Sequence, residues 1–292
     1  MIFWLCLIGR IVANPLSNVF QKLLTREQAA PLFVVGLTQG LLTVACLPVF
    51  LTAPFPSDQV FWSNMLIATA LAVAANVLIV AALKVGDLSF LGPVNAYKSV
   101  FSLVPGFVLL GEIPSLAALA GIGLIVGGSY LLVEHDREAP GRTVLWRFFN
   151  DRGVQLRFAA LVFSATEAVF LKRALVTGSP LAAFAVWSAA GFAVSLIAAR
   201  VHAPGRLSQN GTILKQHWPT CLALAATTGL MQLCTLVVFT GIQVSPALAL
   251  FQTSTLLTVL LGRAVFREPN FVNRLLGAFV MAVGAVLIIV FR

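Results

Sequence analysis

Charge is what this chain has least of. Asp, Glu, Lys and Arg make up 10% of its 292 residues, with ten acids against nineteen bases, whereas soluble domains carry about 25% charged residues. Histidine is limited to three positions, His135, His202 and His217, all in polar connections or at segment ends, so no metal site is expected. No HExxH motif, Ser/His/Asp arrangement or pair of acids falls within one layer. Neither a catalytic centre nor a cofactor is therefore expected, and the chain does not read as an enzyme. The four cysteines, Cys6, Cys46, Cys221 and Cys234, lack CxxC spacing and lie in apolar surroundings, as small buried hydrophobes do. The formal charge of +9 is scattered over short connections with no continuous basic face, which excludes nucleic acid as an expected partner. No soluble domain is visible either, since the longest polar stretch runs only from Glu134 to Arg157.

What fills the chain is apolar. The hydrophobic content is 59% and the mean hydropathy +0.97. A helix crosses a bilayer with about 20 mostly apolar residues, and ten such spans are predicted. They run roughly over 2–24, 31–53, 60–83, 88–110, 115–133, 156–177, 181–201, 217–240, 246–266 and 271–291. The first is read as a span and not as a cleaved signal, because no basic stretch precedes it and Arg10 and Asn14 interrupt it. Gly36 and Gly40, and Gly123 and Gly127, are expected to let helices approach closely.

The two halves repeat. An offset of 156 places Trp62 on Trp218, Asn76 on Gln232, Ser89 on Ser245, Gly106 on Gly262, Glu112 on Glu268, Gly121 on Gly277 and Gly128 on Gly284. Earlier in each half the offset is 150, which aligns VFQK (19–22) with VFLK (169–172). The difference falls in the connection after the second and seventh spans, where an insertion is well tolerated. Each half holds five spans, and an odd number inverts the second copy relative to the first. The predicted fold is thus an all-α integral membrane protein of ten transmembrane helices in two inverted five-helix repeats, 1–134 and 156–292, joined by a central loop over 135–155.

The five-plus-five repeat, with LLGE (109–112) and FREP (266–269) at the ends of the fourth and ninth spans, resembles the EamA-type members of the drug/metabolite transporter superfamily. The resemblance covers the whole chain. It implies transport of an amino acid, nucleotide sugar, organic phosphate or other metabolite, or flipping of a lipid-linked sugar. One departure stands out. Where EamA-type proteins often carry Glu-Pro, fourteen residues before the glutamate of LLGE, this chain has Lys98 in the first half and Ser254 in the second.

Thirteen of the nineteen basic residues fall on the side of the odd-numbered connections, Lys22, Lys84, Arg157, Arg267 and Arg274 among them. By the positive-inside rule that side is cytoplasmic and both termini lie outside, although relatives usually keep their termini inside. The expected location is the cell inner membrane, surrounded by lipid, as monomer or homodimer.

Polar residues inside the spans mark the expected site. Arg10, Asn14, Asn18 and Gln21 recur at helical spacing on one face, with Ser17 beside them. Lipid offers such a stripe no hydrogen bonds, so it must face the bundle interior. Pro15 should bend this helix. Of the ten acids only Glu167 is well inside a span, and a charge there faces a cavity or a partner. Counted at 1.5 Å per residue, Arg10 is ~12 Å and Glu167 ~15 Å from one membrane face, and Lys98 is ~15 Å from the other. Arg10 and Glu167 are expected to pair when the cavity is empty. Arg10 either lines the cavity or snorkels, Lys98 either binds substrate or a counter-ion or makes a structural pair or carbonyl contact, and Arg263 snorkels. Tyr97 and Gln252, with Asn76, Asn95 and Gln232, serve either as ligands or as links between helices.

The expected function is secondary active transport, by export or exchange, of a small anionic or zwitterionic metabolite such as an amino acid or organic phosphate. Arg10, Asn14, Asn18, Gln21, Tyr97, Lys98, Glu167 and Gln252 would bind it, and Glu167 would be the proton-coupling candidate. The alternative is a flippase for a lipid-linked phosphate, whose head would meet the same bases.

Overall fold

The computed structural model describes residues 1–98, 100–101, 115–132, 150–202, 207–242 and 244–290. Among these, all regular structure is helical. The chain runs through α1 (Ile2–Arg26), α2 (Pro31–Ala45), α3 (Leu47–Thr52), α4 (Gln59–Val85) and α5 (Leu88–Leu91), then a 3-10 turn (Pro93–Ala96). It continues with α6 (Leu116–Leu132), α7 (Arg152–Ala174), α8 (Pro180–His202), α9 (Leu207–Gln216) and α10 (Trp218–Gly241). The last elements are α11 (Val244–Gln252), α12 (Ser254–Phe266) and α13 (Phe271–Val290). The end of the fourth predicted span, LLGE with Glu112, and Gly106 lie outside the described residues. So does most of the central loop, including Glu134, His135, Asp136, Arg137, Glu138, Arg142 and Arg147.

The helix ends follow from the local sequence. Asp58 and Asp151 cap α4 and α7 by accepting the Val60 and Val154 amides. Prolines open α2, α3 and α10, where a missing amide proton costs nothing. α1 continues as helix through Pro15.

Five helices, α1, α4, α7, α8 and α10, are long and apolar enough to cross a membrane, and shorter apolar helices account for other predicted spans. Three predicted spans are interrupted. The second breaks at Cys46, between α2 and α3, where Pro48 has no amide to continue the ladder. The fourth begins as a short turn of helix, Gly92 and a 3-10 segment. The ninth breaks at Thr253. There the Thr253 hydroxyl donates to the Leu250 carbonyl at 2.7 Å and Thr258 to Ser254 at 3.0 Å, side-chain bonds that compete with the helical ladder. The extra residues after the seventh span, expected as loop, form α9, which packs on α10 with Ile213 and Leu214 against an apolar cluster.

The packing carries the repeat into three dimensions. α1 lies along α10 and α4 along α7. The repeat exchanges the first span with the sixth and the third with the eighth, so each of these contacts is the image of the other. α6 crosses α13 in the same way. A Cβ on Gly284 would come within 2.6 Å of the Gly121 carbonyl, and one on Gly128 within 3.1 Å of the Gly277 carbonyl. The offset of 156 turns one contact into the other. Gly36 and Gly40 do pack closely, against Ser195 and Phe192. At Gly123 and Gly127, however, an added Cβ would meet nothing within 4 Å, so in this helix the neighbouring glycines make the close approach. Gly284→Leu is accordingly expected to destabilise the detergent-solubilised protein by about 1–3 kcal/mol through overpacking, and Gly123→Leu by no more than about 0.5 kcal/mol. Thermal denaturation of the two variants checks this, and an equal loss at both positions would contradict it.

Large apolar side chains such as Trp4, Ile8, Leu66, Ile197, Leu230 and Phe279 point outward, a surface suited to lipid. Inside, Leu7, Phe61, Met65, Leu171, Trp187 and Phe239 form one apolar cluster toward the end holding the N terminus. Leu83, Leu88, Leu91, Val154 and Met281 form another toward the opposite end, and Leu24, Val34, Val80 and Leu224 a third. The polar residues of the interior lie between them.

Candidate functional site

A cavity of about 110 Å³ opens between the halves, on a measure in which one water needs about 10–15 Å³. It has room for a small metabolite. Its wall on α1 is the polar stripe: Arg10, Asn14, Ser17, Asn18 and Gln21 all line it. The stripe's partners come from the second half. Arg10 Nε donates to Thr235 Oγ1 at 2.8 Å, Asn14 Nδ2 to Ser254 Oγ at 3.3 Å, and Ser17 shares a 2.8 Å hydrogen bond with Thr228. The Arg10 guanidinium also lies 4.7 Å from the centre of the Phe251 ring, a cation–π contact. Helical spacing explains why these polar side chains of α1 reach one wall.

Lys98, Glu167 and Gln252 also line the cavity, as do Asn76, Asn95, Gln232, Ser254 and Arg157. Of the expected ligands only Tyr97 stands apart from the lining. Its ring packs on Phe158, with centroids 5.0 Å apart. Asn76 donates to its own helix at the Ala72 carbonyl. By contrast the Gln21 Oε1 and Gln232 Nε2 atoms are buried without a hydrogen-bond partner, which leaves them available to a solute.

The expected ion pair between Arg10 and Glu167 is not formed: among the described residues no ion pair joins them. Thr235 and Phe251 hold Arg10 instead, and its Nη1 is left without a partner. Glu167 stays 9% exposed on the cavity wall. The Trp187 N–H lies near its carboxylate but outside hydrogen-bonding geometry.

Three bases counted in the connections turn out to be buried. Arg157 is 2% exposed and lines the cavity, because α7 starts at Arg152 and carries it a turn and a half inward. Lys22 and Arg274 belong to an ionic cluster at the end of the bundle. Lys22 Nζ lies 2.7 Å from Glu268 Oε1, and Arg274 lies 3.0 Å from Asp87 and 3.6 Å from Glu268. Glu268 also accepts the Leu88 and Ser89 amides at 2.9 and 2.7 Å. The repeat itself signals Lys22. Lys22 donates to the Gly86 carbonyl at 3.0 Å, and its partner at offset 150, Lys172, donates to Ile242 at 3.1 Å; Ile242 is Gly86 moved by 156. Each lysine therefore closes the C-terminal end of a long helix, one on each side of the bundle. Arg263, expected to snorkel, donates to the Glu268 carbonyl at 3.4 Å.

Among the described residues no group of three or more His, Cys, Asp or Glu is gathered as metal ligands would be.

Among curated proteins, nothing matches this chain. One solved structure, described only as "Crystal structure of protein", is 14% identical, with a TM-score of 0.66, covering 97% of this chain and 94% of that one. At that identity the likeness speaks for the fold alone. The EamA-like transporter family matches twice, over residues 2–134 and 151–290. With the doubled packing and apolar helices above, the chain belongs to the EamA-like transporter family, multi-pass membrane transporters of the drug/metabolite type.

Proposed function

We propose that this protein is a secondary active transporter of a small anionic or zwitterionic metabolite, moved by alternating access around the cavity between the halves. The observation that supports this reading is the charged, polar lining of a cavity placed where the two repeats meet. In transporters built from inverted repeats, the substrate site lies at that junction and the repeats rock around it. Lys98 and Arg10 would hold the anionic group, with amides of Asn14, Asn18, Gln21 and Gln252 on the polar remainder. Glu167 would be the group that exchanges a proton with substrate movement.

A thermal-shift screen of purified protein tests the class, because a ligand that binds the folded state stabilises it by mass action. Amino acids or organic phosphates are expected to raise the melting temperature, by an amount that grows with the logarithm of their concentration above Kd. Stabilisation only by lipid-linked phosphates would replace the reading with lipid flipping. The charge count supports termini outside the cytoplasm. A C-terminal reporter fusion active only in the cytoplasm is expected to be silent, and a strong signal would reverse the orientation.

A further inference from the structure

The reading of the cavity as the substrate site carries a second question, which Arg157 raises. Its side chain is 2% exposed and lines the cavity. Its Nε and Nη1 atoms are buried without a hydrogen-bond partner, and no ion pair to any described residue reaches it. At the bundle end, by contrast, the buried bases have carboxylate partners. Lys22 has the Glu268 carboxylate and the Gly86 carbonyl, and Arg274 has Asp87 and Ser89. A guanidinium taken out of water without an acceptor is unfavourable. One left open toward a cavity is an anion site waiting for its anion.

Charge balance gives the number of anionic groups. Arg10, Lys98 and Arg157 line the cavity against the single acid Glu167, three positive charges against one negative, an excess of two. Lys98 is within electrostatic range of Glu167, Arg10 and Arg157, and it has no hydrogen bond or ion pair to a described residue. The bases are also spread along the bundle. Arg157 is ten residues before Glu167 on α7, ~15 Å of backbone rise, while Arg10 is within electrostatic range of Glu167. The bases are thus anchored at two levels of the cavity, which suits an anionic group at each level better than one compact head.

We propose that the cavity takes a small organic dianion with an anionic group at each end, one held by Arg157 and the other by Lys98 and Arg10. The amides of Asn14, Asn18 and Gln252 lie between, suited to hydroxyl or carbonyl groups in the middle of the solute. Arg157 is then the residue that separates dianions from monoanions.

The test compares small solutes in purified protein at pH 7.5, by thermal shift and by counterflow in proteoliposomes. The probes are the dicarboxylates succinate, malate and 2-oxoglutarate, the monoanion butyrate, glycerol 3-phosphate, alanine and glucose. At least one dicarboxylate is expected to bind ten times more tightly than butyrate. Arg157→Gln is expected to lower the ratio of dicarboxylate to butyrate binding about tenfold, and Arg157→Lys to restore part of it. Equal binding of butyrate and all dicarboxylates overturns the proposal, as does a folded Arg157→Gln that keeps the full preference. If glycerol 3-phosphate binds and no dicarboxylate does, the two-ended arrangement is wrong. Binding of alanine but of none of the anions would overturn the dianion alone, and binding of glucose alone would instead overturn the anionic or zwitterionic reading on which it rests. If Arg157→Gln fails to fold, the wild-type ratio of dicarboxylate to butyrate decides.

Discussion

Glu268→Leu is expected to lower the stability of the solubilised protein by about 3–5 kcal/mol, the cost of leaving a buried charge without its partner. The carboxylate is 5% exposed and serves several donors at once. It accepts from the Lys22 ammonium and from the Leu88 and Ser89 amides, and the Arg274 guanidinium lies 3.6 Å away. Without it, the ammonium of Lys22 keeps only the Gly86 carbonyl and a 3.9 Å approach to Asp87, and two backbone amides lose their acceptor. Removing Lys22 as well should recover much of the loss. In Lys22→Met/Glu268→Leu the remaining Arg274 and Asp87 still pair at 3.0 Å, so the cluster is neutral again and no buried charge is stranded. A double-mutant cycle read by thermal denaturation separates these cases. Additive losses, or a loss below about 1 kcal/mol for Glu268→Leu, would show that the cluster does not hold the bundle end together.

The same cluster gives a pH dependence. Glu268 sits in the turn after α12, outside the spans. Burial pushes its carboxyl upward, but hydrogen bonds from Lys22 and Ser89 and the Lys22 charge outweigh that and hold it below the ordinary value of 4.5. A carboxyl lowered in the folded state contributes stability above its unfolded value and loses it as pH falls through the folded one. The melting temperature of wild type should therefore hold through neutral and mildly acid pH and fall below the ordinary carboxylate range. In Glu268→Leu that acid-side fall should be shallower, and an unchanged profile would remove Glu268 as its source.

Lys98→Ala is expected to show the opposite pattern, loss of transport with no loss of fold. Lys98 lines the cavity, half-buried, and faces Arg10 and Arg157 as well as Glu167. In the empty protein it makes no hydrogen bond or ion pair to a described residue, and its removal trades attraction to Glu167 against repulsion from Arg10 and Arg157, so the melting temperature should stay level. With substrate present, a charged hydrogen bond worth about 1.5–3 kcal/mol disappears, which at about 1.4 kcal/mol per tenfold is a 10- to 100-fold loss of uptake below saturation. Lys98→Arg should keep part of the activity, since the charge remains and the shape changes. Uptake within twofold of wild type in Lys98→Ala would take Lys98 out of the site. A melting temperature that falls in step with uptake would make its role structural.

Much of this protein was written in one dimension. Lipid cannot hydrogen-bond a polar stripe, so the spacing of Arg10, Asn14, Asn18 and Gln21 alone sent them inward, and the offsets of 156 and 150 implied which helices must pack as images of each other. Where the chain simply had to be long and apolar, the sequence was sufficient. Partner choice was not visible, because it depends on which side chains meet across helices more than 200 residues apart. Only the tertiary structure gives Arg10 to Thr235 and Phe251 in place of Glu167, turns Tyr97 away onto Phe158 and breaks the ninth span at Thr253. It also decides the fate of bases near span ends. Arg157, Lys22 and Arg274 look alike in sequence as loop charges. Helix starts and crossings a few residues away bury all three, supplying carboxylates to Lys22 and Arg274 and leaving Arg157 open to the cavity.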